Sequence, residues 1–222
     1  DNLSRYLRFM LQKLSRYLKM ATLIVATALL HTTLTANTSD ASIADLADSI
    51  KEMTIGKKDA PLTIVEYASL GCSHCAKFHQ EIYPALKKDY IDTGKVKLIF
   101  RDFPLGTPAL AATMIARCSG PERYFGFVEM FFRSQTQWSH AENPLEALSK
   151  VARLGGMPPI DVQACMRNQK LLEYIQLQKK HAYEEDGINA TPYFVIGTEK
   201  LSGGLPYNQM KVIIERELNR IK

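Results

Sequence analysis

The two cysteines of the segment Gly71-Cys-Ser-His-Cys75 are the residues of this chain best suited to do chemistry. Three positions separate Cys72 from Cys75, so on a helix their side chains share one face and can form a disulfide or bind one ligand. An apolar stretch and Gly71 precede them, which predicts that they lie in the first turn of a helix. Free N–H groups and the positive end of the helix dipole stabilise an anion there. We therefore predict that Cys72 is an exposed, nucleophilic thiolate and that Cys75 is its more buried, resolving partner.

His74 lies between the two cysteines and is predicted to stabilise the Cys72 anion further. A stabilised thiolate favours the reduced form, so the disulfide form becomes an oxidant of other proteins. A zinc site would need a second cysteine pair, which the chain lacks at short spacing, and a haem attachment would need histidine where Ala76 stands. A purely structural disulfide would add little stability, because so short a loop hardly restricts the unfolded chain. Redox chemistry is favoured, and the zinc and structural alternatives stay open.

Glu66 and Thr191-Pro192 are two further candidates for the same site. Glu66 stands in an apolar stretch six residues before Cys72, and it either points into solvent or is a buried acid that exchanges a proton with Cys75. The apolar neighbours favour the buried acid. Thr191-Pro192 opens a late strand, where a cis bond would leave backbone groups free to pair with an extended peptide. His79 is predicted to be an ordinary residue of the helix surface.

The first half of the expected domain reads as strand, helix and strand. Helical spacing of apolar residues predicts a short helix over 43–50. A β-branched apolar run predicts a strand over 62–68, a helical pattern extends over about 72–90, and a second strand is predicted over 95–103. This order is a βαβ unit, which implies a parallel pair of strands with a right-handed crossover.

The second half is a long helical stretch followed by two strands and a helix. Helices are predicted near 108–118, 122–135, 143–154, 160–167 and 169–185. A strand at 193–197, a turn at 198–200, a strand at 201–203 and a final helix from 206 to 218 follow. The fold class is therefore α/β, a small mixed sheet whose second half is displaced by a helical insertion of about 105–187.

Charge and hydropathy set the N-terminal segment apart from the rest of the chain. The formal net charge is +5 over 222 residues, and residues 1–41 hold five basic and two acidic residues. The charges of the remainder are scattered and nearly balanced, so nucleic-acid binding is not expected. With 46% hydrophobic residues and four cysteines, the remainder must be held by an apolar core rather than by a disulfide scaffold.

Residues 1–41 are predicted to be a secretory signal peptide. A basic stretch runs into the apolar run 20–30, and small residues follow it. The run is shorter than the roughly 18–20 apolar residues of a spanning helix. An uncleaved N-terminal membrane anchor and a basic amphipathic surface helix are the alternatives. A signal or an anchor would export the remainder, 42–222, to the periplasm.

Four motifs resemble those of the DsbA-like thiol:disulfide oxidoreductases of the thioredoxin superfamily. They are Glu66-Tyr-Ala-Ser-Leu-Gly-Cys-Ser-His-Cys75, Phe100-Arg-Asp-Phe-Pro-Leu105, Ala111-Ala-Thr-Met-Ile-Ala-Arg-Cys118 and Gly187-Ile-Asn-Ala-Thr-Pro-Tyr-Phe-Val-Ile196. The resemblance extends from near residue 55 to the C-terminus. It implies a thioredoxin-like fold over 42–222, with the helical insertion between its βαβ half and its ββα half.

The same resemblance implies a role for each residue of the candidate site. Cys72 is the attacking cysteine, Cys75 resolves the mixed disulfide, His74 tunes the redox potential and Glu66 is the buried acid. Thr191-Pro192 is the cis-proline loop that holds substrate. No metal and no cofactor is implied.

Two features are found in only part of that family. Ser73 stands where the best-known members have proline, so the strength of the oxidant does not carry over from them. Cys118 and Cys165 form a second pair that is expected to be a structural disulfide within the insertion. Two buried free thiols are the alternative, which an oxidising compartment disfavours.

The function expected from the site and the resemblance is disulfide donation. An exported oxidoreductase would oxidise newly exported or unfolded proteins that carry free thiols, act as a monomer, and be reoxidised by a membrane redox partner. An isomerase or reductase on the same fold is an alternative, although residues 42–54 offer little for the dimerisation module that isomerases use. A non-catalytic peptide-binding or chaperone module is the alternative from a different class.

Overall fold

A five-stranded mixed sheet is the frame of the structure, a computed structural model that describes residues 43–221. Its strands are β1 (Met53–Ile55), β2 (Leu62–Ala68), β3 (Val96–Asp102), β4 (Tyr193–Ile196) and β5 (Glu199–Ser202). They lie in the order β1-β3-β2-β4-β5. Only β2 and β3 run parallel, whereas the other three pairs are antiparallel. The central strand β2 is almost wholly buried, which matches its nearly continuous apolar sequence.

Helices pack against the sheet, and those that follow β3 and precede β4 in the chain form the helical insertion. They are α1 (Leu46–Ser49), α2 (Ser73–Glu81), α3 (Tyr83–Leu86), α4 (Thr107–Cys118), α5 (Pro121–Arg133), α6 (Gln135–Trp138), α7 (Pro144–Leu154), α8 (Pro159–Met166), α9 (Gln169–Glu184) and α10 (Tyr207–Arg220). A π-helical turn, Lys87–Ile91, follows α3. Among residues 43–221, no helix has both the length and the apolar character needed to cross a membrane. The leader predicted over 1–41 lies outside the described residues.

Three of the differences between the structure and the predicted elements have a clear physical cause. The helix expected over 72–90 breaks after Glu81, because Pro84 in the first turn of α3 has no N–H to continue the ladder. Strand β1 was not predicted, since three residues are too few to show a period of two. The turn expected at 198–200 is shorter: Gly197, at φ +58°, turns the chain so that Ile196 pairs directly with Glu199.

A buried ion pair fastens the helical insertion to the sheet. Asp102, at the end of β3, accepts hydrogen bonds from Arg117 Nε (2.6 Å) and from the Tyr124 hydroxyl (2.8 Å). Arg117 also donates to the carbonyl of Ser49 at 2.9 Å. These contacts satisfy both charged groups away from water, as a buried pair requires. Asp102 and Arg117 belong to two of the motifs that resemble those of the DsbA-like proteins. Their contacts show that these motifs join the insertion to the sheet.

A disulfide links two helices of the insertion. Cys118 at the end of α4 and Cys165 in α8 are joined, with their Cα atoms 6.1 Å apart and 47 residues apart in sequence. Both residues are buried within the apolar core of the insertion.

Removal of this bridge is expected to lower the free energy of unfolding without affecting the first cysteine pair. A closed loop of 47 residues corresponds to about 4 kcal/mol in the chain-entropy model. Urea denaturation of a Cys118→Ala/Cys165→Ala variant, with Cys72 and Cys75 kept reduced, measures the loss. Wild-type protein with the bridge selectively reduced is the control and should lose a similar amount. A loss below about 1 kcal/mol in both would contradict a bracing role.

Candidate active site

Cys72 stands at the junction between the central strand and the following helix. Three residues separate the end of β2 from Cys72, which is the N-cap of α2 with an extended backbone. Its sulfur takes the place of the usual capping oxygen and accepts a hydrogen bond from the backbone N–H of Cys75 at 3.4 Å. The N-terminus of α2 therefore points free N–H groups at the sulfur, as the sequence predicted.

The loop that precedes β4 lies against the same sulfur. Cys72 Sγ is 3.3 Å from the carbonyl oxygen of Thr191, and the peptide bond between Thr191 and Pro192 is cis. The Thr191 hydroxyl is buried and has no hydrogen-bond partner among the described residues. The structure thus brings the two cysteines together with Thr191-Pro192, although Cys72 and Thr191 are 119 positions apart in sequence.

The surroundings of Cys72 lower the pKa of its thiol from the ordinary value to about 5. The largest cause is the Cys75 thiol, which donates a hydrogen bond to the Cys72 thiolate. The Thr191 side chain and the backbone N–H groups of Cys75 and His74 lower the pKa further, while partial burial opposes them. Cys72 is half-buried, so an external disulfide or thiol can reach a sulfur that is ionised at neutral pH.

Cys75 has the opposite character. It is fully buried, and burial raises the pKa of its thiol far above the ordinary value. The hydrogen bond to Cys72, the charge of Cys72 and the charge of Glu66 raise this pKa further. One sulfur is therefore poised as a nucleophile and the other as a protonated partner.

Within residues 43–221, no cluster of three or more His, Cys, Asp or Glu side chains is arranged to hold a metal ion.

His74 lies on the exposed side of the first turn of α2. Its backbone N–H contributes to the low pKa of Cys72. Its side chain makes no hydrogen bond or ion pair with the described part of the chain. A role of this imidazole in setting the redox potential stays a prediction.

Glu66 and His79 form a buried pair, and the charge of Glu66 acts on the Cys75 thiol. The Glu66 side chain is 0% exposed, and His79 Nε2 lies 3.1 Å from each of its carboxylate oxygens. The prediction that His79 is a surface residue is wrong, because its side chain is only 2% exposed. A signal was present in the sequence: His79 is four residues after Cys75, so on a helix both face the same side.

Gln135 is a residue of the site that the sequence did not reveal. It is the first residue of α6, and its side-chain amide donates to the carbonyl oxygens of Leu70 (2.6 Å) and Cys72 (3.0 Å). Gln135 is buried, so these bonds are shielded from water. A part of the insertion thereby holds the loop that presents Cys72.

Gly71 allows the same loop to pack closely against the insertion. A Cβ atom at this position would lie 3.0 Å from Cβ of Ala109 in α4, tighter than ordinary contact. The hydroxyl of Ser69 accepts hydrogen bonds from the N–H groups of Gly71 (3.2 Å) and Leu105 (3.0 Å). The cysteine loop is therefore held on both sides by residues outside the βαβ unit.

Comparison with known proteins places this arrangement in a family. A family model described as thioredoxin matches residues 48–216. The match covers most of the chain, and the chain therefore belongs to the thioredoxin family. The predicted thioredoxin-like α/β fold is thereby confirmed, together with its helical insertion.

Individual relatives confirm the resemblance to DsbA-like proteins. The crystal structure of α-DsbA1 from Wolbachia pipientis superposes with a TM-score of 0.72 at 31% identity, over 77% of this chain and 92% of that one. A Rickettsia felis protein, named provisionally as a protein-disulfide oxidoreductase, is 31% identical over 77% of this chain. Disulfide bond formation protein D of Bacillus subtilis is 25% identical over 77% of this chain and 79% of its own length. The chain spans 62% of the length of the Rickettsia felis relative.

Loss of the Gln135 amide is expected to destabilise the protein. Gln135→Met leaves the buried carbonyl oxygen of Leu70 without its donor and removes one of the two donors to the Cys72 carbonyl oxygen, which should lower the free energy of unfolding by about 1–3 kcal/mol. Gln137→Met on the exposed side of the same helix is the matched control, with an expected change within about 0.5 kcal/mol. Denaturant unfolding of both variants in one redox state gives the comparison. Equal losses in the two variants would show that Gln135 does not hold the cysteine loop.

Proposed function

We propose that this protein is a thiol:disulfide oxidoreductase that introduces disulfide bonds into other proteins by donating its own Cys72–Cys75 disulfide. The observation that carries the proposal is the pairing of a half-buried sulfur of pKa about 5 with a buried, protonated one. Stabilisation of the Cys72 thiolate stabilises the reduced protein, and a stable reduced form makes the disulfide a strong oxidant. The named relatives support the same class of reaction.

The reaction proceeds through a mixed disulfide. A substrate thiolate attacks Cys72 Sγ, the Cys72–Cys75 bond breaks, and the electron pair leaves on Cys75, which takes up a proton. A second substrate thiolate then attacks the substrate sulfur of the mixed disulfide and expels Cys72 as a thiolate. Two electrons pass from the substrate dithiol to the protein. The low pKa of Cys72 speeds the second step because a weakly basic thiolate is a good leaving group.

The loop at Thr191-Pro192 is proposed to hold the substrate peptide. Its backbone borders Cys72, with the Thr191 carbonyl oxygen 3.3 Å from the sulfur. An extended peptide can lie along such a segment and exchange main-chain hydrogen bonds with it. This mode of binding accepts many sequences, which suits unfolded proteins with free thiols as substrates.

The location proposed for this activity is the periplasm. The predicted signal peptide or anchor at 1–41 supports export. The Cys118–Cys165 bridge is in keeping with an oxidising compartment. A protein that donates its disulfide must be reoxidised, and a membrane redox partner is proposed for this step. The family resemblance supports this partner.

Oxidation of a two-cysteine peptide tests the proposed reaction. Each molecule of oxidised protein should convert one molecule of a reduced, unstructured peptide to its disulfide form. Cys72→Ser should abolish the conversion. The Cys118→Ala/Cys165→Ala variant is the control and should retain it, because the bridge does not touch the reacting sulfurs. Mass spectrometry after alkylation measures each species. A Cys72→Ser variant that still promotes disulfide formation would favour the non-catalytic peptide-binding alternative.

The same protein in a glutathione buffer separates an oxidase from a reductase. The Cys72–Cys75 pair should be half reduced at a potential less negative than about −200 mV, more oxidising than the cytosolic glutathione poise. A midpoint below about −250 mV would contradict the oxidase and favour a reductase on the same fold.

A further inference from the structure

The acid of the site has a single polar partner. Among the described residues, the only polar contact of the Glu66 carboxylate is with His79 Nε2, 3.1 Å from both oxygens. A carboxylate that is 0% exposed cannot exchange protons directly with bulk water. A proton that passes between Cys75 and solvent by way of Glu66 must therefore use another group.

The second nitrogen of His79 is left open. His79 Nδ1 is buried and has no hydrogen-bond partner among the described residues. The ring is held in place by stacking on Phe132, with centroids 4.5 Å apart and planes 25° apart, and by Tyr83 at 4.9 Å. A purely structural histidine normally satisfies both nitrogens, so the open Nδ1 calls for a function.

A cavity connects this histidine to the protein surface. It has a volume of about 300 Å³, ample for several water molecules, and His79, Tyr83 and Phe132 line it. The exposed residues Gln80 and Arg133 line its outer part. The Tyr83 hydroxyl is a second buried polar atom without a partner among residues 43–221. Both residues line the cavity, so water that enters it comes close to the two side chains that carry these atoms.

We propose that His79 is a proton relay that connects water in this cavity to Glu66, and through Glu66 to Cys75. The inference rests on the proposed function and deepens it, because the relay serves the resolving cysteine of the same reaction. His79 does not touch the reacting sulfurs, so it acts through Glu66.

Proton balance holds in both half-reactions. When a substrate thiolate displaces Cys75, water protonates His79 Nδ1, Nε2–H passes to the Glu66 carboxylate, and Glu66 passes that proton on to the Cys75 sulfur. When a disulfide oxidant such as glutathione disulfide regenerates the protein, Cys72 first forms a mixed disulfide with it. The Cys75 proton then moves to Glu66 and to Nε2, and Nδ1 releases its proton to water. Cys75 attacks Cys72, and the oxidant departs as two thiols.

Several charged and titratable groups face this pair and must be counted in its pH dependence. They belong to four neighbouring segments and are Cys75 on α2, Tyr83 on α3, Lys87 after α3, and Tyr124, Glu129 and Arg133 on α5. Burial is the main cause that raises the pKa of Tyr83, and the charges of Glu129 and Glu66 raise it further. This phenol therefore stays neutral through the pH range of the reaction.

The test follows the reoxidation of the reduced protein by glutathione disulfide. Rapid acid quenching and mass spectrometry separate attack by Cys72, which forms the mixed disulfide, from its resolution by Cys75. In His79→Gln the resolution should slow by roughly 10²-fold, the lower end of the effect of a positioned proton-transfer group. The first step should change less than twofold. In Glu66→Gln, a further His79→Gln change should add no slowing, because the relay is already cut.

Chemical rescue distinguishes a relay from a structural role. Imidazole added to His79→Ala should enter the space left by the side chain and restore the resolution rate at least tenfold, with a pH profile that follows the added base. His140→Gln, an exposed histidine, is the matched control and should behave as wild type. A wild-type resolution rate in His79→Gln, or no rescue of a folded His79→Ala variant, overturns the relay.

These outcomes are independent of the proposed function. A wild-type protein that oxidises the two-cysteine peptide while His79→Gln resolves its glutathione mixed disulfide normally refutes the relay alone. A wild-type protein that fails to oxidise the peptide, but whose resolution step slows in His79→Gln, refutes disulfide donation alone.

Discussion

Stabilisation of the negative charge on the Cys72 sulfur is the interaction on which the rest of the site depends. The thiolate is held by the Cys75 thiol, by the Thr191 side chain and by the first N–H groups of α2. These groups belong to two different parts of the fold. The start of α2 is set by the end of β2, and Thr191 is brought in by the chain that leads into β4. The helical insertion holds the connecting loop through Gln135.

The two cysteines differ because they lie at different depths on one helix. Cys72 is half-buried at the N-cap, whereas Cys75 is fully buried and feels the charge of Glu66. The pKa of Cys72 is lowered and that of Cys75 is raised. The Cys72 sulfur is therefore a good nucleophile and leaving group, whereas Cys75 must gain or lose a proton whenever the disulfide opens or closes. This requirement calls for a buried acid and a route for protons, and the proposed function of the buried Glu66–His79 pair is to supply both.

Sequence reasoning reached the parts of the site that depend on local spacing. The two cysteines at the start of a helix and an acid within an apolar strand are visible in short segments, and the structure places both as expected. The Cys118–Cys165 pairing and the Thr191-Pro192 loop were anticipated by resemblance and by residue type. Contacts between distant segments were not accessible in this way. Nothing near Gln135 indicates that its amide reaches the Cys72 loop, and the Asp102–Arg117 pair forms only when β3 meets α4. The error at His79 was avoidable, because its spacing from Cys75 already placed it on the buried face.

The most direct test of the central claim is a pH titration of the Cys72 thiolate in the reduced protein. The absorbance of the thiolate near 240 nm would be followed from about pH 3 to pH 9, with Cys72→Ser as the control that lacks the transition. Because the surroundings lower the pKa of Cys72 to about 5, the absorbance should rise with a midpoint near that value and be complete by neutral pH. A midpoint at the ordinary value of about 8.5 would contradict a site built to stabilise this anion. The proposed strong oxidant would then lose its physical basis.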